Sequence, residues 1–202
     1  MQRAAHDDTR EIALLPRDAA DEIVRNCDIS KIDMAKLRAR TEQIGYPVLG
    51  VVSQLNALCR DKLGEWCHWG ATTQDVTDTA TVLQIQEGLA LIEADLDALS
   101  AGLAKLAKTH RDTPMAGRSN LQQATPITFG YKVATMLAGI ERHRERLAQL
   151  RPRVLLGEFG GASGNLASLD RLAMEQQAAL MKELGLGQPP IAWHTVRDTI
   201  AE

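Results

Sequence analysis

The 202-residue sequence predicts an all-α fold. Three observations carry that expectation. Val82, Ile85, Leu89, Ile92, Leu96, Leu99, Leu103 and Leu106 recur in strict three-four alternation, the seam of a long helix that packs against other helices rather than a sheet. Aromatic residues make up only 3% of the chain, and runs of β-branched residues are few, so strand signals are weak. Apolar residues supply 45% of a chain rich in Ala and Leu, enough for a sizeable core.

In chain order, apolar spacing predicts short helices over Arg17 to Cys27, Met34 to Gly45 and Pro47 to Glu65. Asp28, Ser30 and Gly45-Tyr46-Pro47 punctuate them. The heptad helix is expected from about Thr73 to Thr109, roughly 40 Å or more in length. Thr72 and Asp75 have the spacing of a capping box at its start. A polar link follows over His110 to Gln123, containing Pro114 and Gly117. A second long helix is expected to start near Pro126, where a proline in the first turn is tolerated, and to carry the stripe Val133, Met136, Ile140, Leu147, Leu150 and Val154. The glycine-rich stretch Gly157 to Gly164 breaks that rod. A third helix is expected over about Asn165 to Leu184, closed by Gly185-Leu186-Gly187 and Gln188-Pro189-Pro190. The last residues, Arg197 to Glu202, read as a helix just beginning, so the expectation is a piece of a longer protein. Residues 1–72 then form a small helical domain and 73–202 the first part of a long-helix bundle, completed by other subunits or by further sequence.

Composition narrows the function classes. A formal net charge of -3 gives no reason to expect nucleic acid or an acidic membrane surface as a partner. No apolar run reaches the ~20 residues needed to cross a bilayer, and the N-terminus lacks the apolar core of a signal peptide. Cys27, Cys59 and Cys67 are odd in number and lack metal-ligand spacing, which fits reduced cysteines in a cytoplasmic protein.

Polar segments sit at the rod ends: His68 to Asp75, Gly117 to Gln123 and Gly160 to Asn165. A helix start with free amides, the hydroxyls of Thr72 and Thr73, and His68 just upstream suits a carboxylate ligand. Arg118 reads as an anion contact or an ordinary ion pair. The glycines at 160–164 do not read as a phosphate loop, since no strand signal precedes them and no Lys-Ser/Thr follows; close backbone approach is the better reading. Cys67-His68 with Cys59 is an incomplete zinc set, so no metal is expected.

The stretches His68-Trp-Gly-Ala-Thr-Thr-Gln-Asp-Val-Thr-Asp-Thr-Ala80, Met115-Ala-Gly-Arg-Ser-Asn-Leu-Gln-Gln-Ala-Thr-Pro-Ile-Thr-Phe-Gly130, Gly160-Gly-Ala-Ser-Gly-Asn-Leu-Ala-Ser-Leu169 and Trp193-His-Thr-Val-Arg-Asp198 together resemble the fumarase/aspartase superfamily. The likeness is to its 3-carboxy-cis,cis-muconate cycloisomerase branch, next to the adenylosuccinate lyases, and Gly45-Tyr46-Pro47-Val48 fits the former. The resemblance implies a helical bundle that tetramerises, with active sites built from several subunits and no metal or organic cofactor. It implies anti addition or elimination next to the carboxylate of a small polycarboxylate, with a base removing the α proton and an acid serving the leaving group. Carried over by position, His68 contacts or helps protonate substrate, Thr72 and Thr73 bind a substrate carboxylate, and Arg118, Ser119 and Gln122 line the same pocket. Asn120 occupies the general-acid position, where lyases carry His and cycloisomerases commonly Trp. Asparagine exchanges no proton near neutral pH and can only orient or hydrogen-bond. The family's base, a serine on a Gly-Ser-Ser-x-Met-Pro loop, is expected beyond Glu202. Two alternatives stand beside a cycloisomerase: an adenylosuccinate or argininosuccinate lyase-like enzyme, and a non-catalytic helical assembly on the same scaffold.

Overall fold

A computed structural model describes residues 15–202; the start of the expected N-terminal domain, residues 1–14, lies outside them. Helices dominate. In order they are α1 (Arg17–Asn26), α2 (Met34–Ile44), α3 (Val48–Leu58), α4 (Thr73–Thr109), α5 (Phe129–Val154), α6 (Ala173–Leu184) and the single turn α7 (Asp198–Ala201). Strands β1 (Pro114–Ser119) and β2 (Gln122–Thr128) stand between α4 and α5. The chain divides into two compact units, one made of residues up to Gln84 with Val154–Glu202, the other of Ile85–Arg153. No helix among the described residues is long and apolar enough to cross a membrane.

In the first unit, local chemistry sets the helix ends. The Asp33 carboxylate accepts from the amides of Ala35 and Lys36, which starts α2, and Gly45 at φ 86° closes it in a left-handed cap. The segment expected to be helical from Pro47 to Glu65 is two pieces, α3 and a 3-10 turn over Leu63–Trp66. Asp61 and Lys62 separate them with positive φ, which no helix accommodates. The core is Val82, Phe159, Leu166, Leu169, Leu180, Met181, Leu186 and Trp193. Burying each such side chain contributes about 1.5–3 kcal/mol. The third expected helix begins later than its apolar pattern suggests: Ala167–Leu172 is a 3-10 segment, and α6 follows, capped by Gly185 at φ 65°.

In the second unit, α4 and α5 meet through long charged side chains. Arg144 reaches Asp97 at 2.6 Å and Glu141 at 2.8 Å, Arg151 reaches Glu93 at 2.8 Å, and the Ser100 hydroxyl donates to Glu141. The expected polar link is instead a β-hairpin, the one sheet among the described residues of this helical fold. Pro114 pairs with Thr128 and Ser119 with Gln122, with an irregularity between Ala116 and Arg118. Asn120 and Leu121 form its two-residue turn at φ 48° and 64°, the positive values that match the twist of flanking strands. Pro126 therefore lies in β2 opposite Ala116, and α5 starts at Phe129. A Cβ on Gly117 would fall 2.4 Å from the Thr125 carbonyl oxygen, so glycine lets the strands close at the bulge.

Candidate active site

The first turn of α4 is the centre of the site. Asp75, wholly buried, sits three residues beyond Thr72 and turns its carboxylate back onto the Thr72 amide at 2.7 Å, the carboxylate half of a capping box. The same group accepts three further bonds. Oδ2 takes the Gly161 amide at 3.0 Å, and Oδ1 takes the Gly160 amide at 2.9 Å and His194 Nε2 at 2.7 Å. Hydrogen bonds to an ionised acceptor are the strong ones, so this carboxylate ties three segments together.

The glycines make the approach possible. A Cβ on Gly160 would stand 2.8 Å from His194 Cε1 and 3.0 Å from the Ala192 Cβ; Gly161 has φ 71°. Neighbouring bonds complete the loop. Thr79 Oγ1 donates to the Glu158 carbonyl at 2.8 Å and accepts its amide at 2.9 Å. Gln177 donates to the Phe159 carbonyl at 2.8 Å and the Trp193 indole to the Gly157 carbonyl at 3.0 Å. One turn further along α4, Asp78 receives the Arg197 guanidinium through its two terminal nitrogens at 2.6 and 2.9 Å. That fork raises the Arg197 pKa, chiefly through the hydrogen bond. Gln74 donates to the His194 carbonyl at 2.9 Å.

Glu158 is the anomaly. Its side chain is wholly buried; Oε2 accepts the Trp193 amide at 2.7 Å, while Oε1 has no hydrogen-bond partner and lies 3.8 Å from His194 Nε2. Burial pushes its pKa up, partly opposed by the Trp193 amide and His194. Among the described residues, Asp75, Glu158 and His194 are the group whose ligand atoms stand close enough to hold a metal, all within 4.8 Å of one another. Ligands about 2.1 Å from a shared metal stand more than about 3 Å apart, wider than the 2.7 Å between His194 Nε2 and Asp75 Oδ1. Asp75 already accepts four N–H donors, so in this structure the trio is joined by hydrogen bonds.

His68 lies just before α4 at φ 71°, a strained conformation for a residue with a side chain. Its half-buried imidazole lines a cavity of about 430 Å³ with Val51, Leu55, Trp66, Trp69 and Phe159. Burial holds its pKa below the ordinary value, and the Asp75 charge pulls the other way. This cavity is apolar. Its lining takes in Ala71, Val76 and Thr77 but, among the described residues, not Thr72 or Thr73, which stay at the partly exposed helix start. His68 thus belongs to the lining of the apolar cavity, and Thr72 and Thr73 do not.

Arg118, Ser119, Asn120 and Gln122 are brought together on the β-hairpin of the second unit, all exposed, with Asn120 in the turn. Sequence reasoning missed Glu158 and His194. Trp193-His194 stood in a motif without an assigned role, and its proximity to Asp75 and Glu158 shows only in the folded chain.

Comparison with known proteins gives concordant matches. A family described as Lyase matches residues 4–202. Trans-aconitate decarboxylase 1 of Mycosarcoma maydis is 53% identical over 192 residues, covering 95% of this chain and 39% of that protein. The 3-carboxy-cis,cis-muconate cycloisomerase of Pseudomonas putida is 40% identical over 192 residues, 94% of this chain and 46% of that one. The crystal structure of a fumarate lyase from Mesorhizobium sp. BNC1 superposes with a TM-score of 0.91 at 48% identity, covering 99% of this chain and 46% of that chain. The chain thus spans less than half the length of these relatives.

Proposed function

From the premise that the chain belongs to the lyase family, in the fumarase/aspartase superfamily, we propose that the whole protein acts on an unsaturated, acyclic tricarboxylate. The reaction is anti addition–elimination at the carbon next to a carboxylate, in the manner of a 3-carboxy-cis,cis-muconate cycloisomerase. The observation that carries this reading is the start of α4. The first-turn amides of a helix have no carbonyl partner within it, Thr72 and Thr73 lie at that start, the Asp75 carboxylate holds the Thr72 amide at 2.7 Å, and His68 stands just upstream in the sequence. His68, with its lowered pKa, is the group that exchanges a proton with or contacts substrate. Asn120 orients substrate without exchanging a proton. Arg118, Ser119 and Gln122 complete the carboxylate contacts in the assembled protein. The α proton is taken by a base outside this sequence, so residues 1–202 alone do not turn over. On the same reading 1–72 and 73–202 are an N-terminal helical domain and the first part of the bundle, and the protein is a cytoplasmic homotetramer.

A second reading has support of its own. The 53%-identical relative is named for decarboxylating trans-aconitate, which is also an unsaturated tricarboxylate, and an asparagine at the acid position suits a reaction with no leaving group to protonate there. Adenylosuccinate and argininosuccinate cleavage, which release an amine, fit Asn120 less well.

The test uses the full-length protein with 3-carboxy-cis,cis-muconate, trans-aconitate, adenylosuccinate and argininosuccinate. One tricarboxylate is expected to turn over, and Thr73→Ala and His68→Gln each to lower kcat/KM at least tenfold, about 1.4 kcal/mol. Loss below tenfold in both variants removes the site assignment. An inactive full-length protein that folds as an oligomer favours the non-catalytic assembly.

A further inference from the structure

We propose that His194 is a positioning residue for the carboxylate-binding start of α4, an inference that rests on the reading above. Thr72 and Thr73 can hold an anion only if the first turn is held in one orientation, and its fixed point is the Asp75 carboxylate. Each oxygen of that carboxylate carries two donors, one of each pair an amide of the Gly160-Gly161 loop. Oδ2 gathers the Thr72 and Gly161 amides, and Oδ1 gathers the Gly160 amide and His194 Nε2. Three of these donors are backbone amides, which no substitution except proline removes. His194 is the fourth and the one side chain among them. It sets the rotation of the carboxylate about its last torsion and so the direction in which the Thr72 amide is pulled.

His194 is itself held from both sides. Its carbonyl accepts from Gln74 of α4 at 2.9 Å, and the preceding Trp193 amide donates to Glu158 at 2.7 Å. Arg197, three residues on, grips Asp78 through two bonds of 2.6 and 2.9 Å. The segment 193–197 is thus a brace laid along the first turns of α4, with the imidazole as its contact to the helix cap. The unpartnered Glu158 Oε1 lies 3.8 Å from the same Nε2, beyond hydrogen-bond distance, so the imidazole N–H is given to Asp75.

The experiment measures binding of trans-aconitate to the full-length protein by calorimetry, with melting temperature read in parallel. His194→Leu keeps bulk and removes the donor; His194→Gln keeps an N–H at the reach of Nε2. The Leu variant is expected to weaken binding about tenfold, the scale of a lost charge-assisted bond, and the Gln variant to restore it to within about threefold of the parent. Rescue by Gln separates positioning from a packing role, which Gln would not repair. If the Leu variant does not fold, Gln74→Ala decides, because it releases the His194 carbonyl at a half-buried position: weakening of about threefold supports the inference and unchanged affinity overturns it. Unchanged affinity in a folded Leu variant, or no rescue by Gln, also overturns it. Thr73→Ala distinguishes the two levels. If Thr73→Ala weakens binding and His194→Leu does not, the inference alone fails; if Thr73→Ala has no effect, the carboxylate site and the inference both fall.

Discussion

His68 carries two opposed influences, and their balance makes a measurable claim. Burial disfavours the charged imidazole and is the larger effect, while Asp75 favours it, and the result lies below 6.5. The folded protein therefore binds this proton less tightly than the unfolded chain does. The contribution to stability is complete at pH values above the unfolded pKa and is lost as pH falls from there toward the folded value. An NMR titration of the histidine Cε1 protons in the full-length protein, assigned with His68→Gln, is expected to place the His68 midpoint below 6.5. A midpoint at or above that value would remove burial as the controlling influence. The sequence marked His68, Thr72, Thr73 and the cap at Asp75, because their spacing in one segment is itself the signal. It did not mark the partners of Asp75. His194 is 119 residues away and Gly160 is 85, and nothing local distinguishes an imidazole aimed at a buried carboxylate from one in solvent.

At the scale of elements, legibility followed the length of the repeating pattern. The seven-residue repeat over Val82 to Leu106 places α4 at Thr73–Thr109, the bounds the sequence suggests, since a long seam and a capping pair reinforce each other. The hairpin between α4 and α5 was not legible. Its turn is Asn120-Leu121, and leucine at φ 64° carries none of the glycine signal that marks such turns. Pro126 also has two uses, at a helix start or in a strand, and the sequence favours the first. The join between hairpin and helix depends on Gly130. Its amide donates to the His110 carbonyl at 2.9 Å, and a Cβ there would stand 2.5 Å from the Ala107 oxygen, 2.7 Å from the His110 oxygen and 2.8 Å from the Arg111 Cα. All three are backbone atoms, so no side-chain rotation relieves the clash. Gly130→Ala is expected to cost about 2–3 kcal/mol and to lower Tm of the full-length protein by roughly 2–4 °C in calorimetry. A change within about 1 °C would mean that the turn shifts freely.

At the scale of the whole molecule, the seam of α4 is half used. Its apolar residues form two rows spaced by seven. Leu89 is buried and Leu96 and Leu103 are partly buried, while Ile92 is 50%, Leu99 46% and Leu106 41% exposed. A heptad seam with one row bare is stable only when other helices cover it, because each such side chain contributes about 1.5–3 kcal/mol on burial. Two arrangements can cover it: further chain of the same protein, or further copies. They differ in what a charge on the bare row does. Glutamate at a position covered by a second copy opposes association, since a buried unpaired carboxylate costs several kcal/mol at each symmetry-related contact. Glutamate at a position covered within one chain lowers melting temperature and leaves the mass alone. On the proposed tetrameric reading, the full-length protein is expected to scatter light as a tetramer, and the double variant Ile92→Glu/Leu99→Glu to scatter as a smaller species. A monomeric parent, or a tetrameric variant with only its Tm reduced, would assign the bare row to the remainder of the same chain.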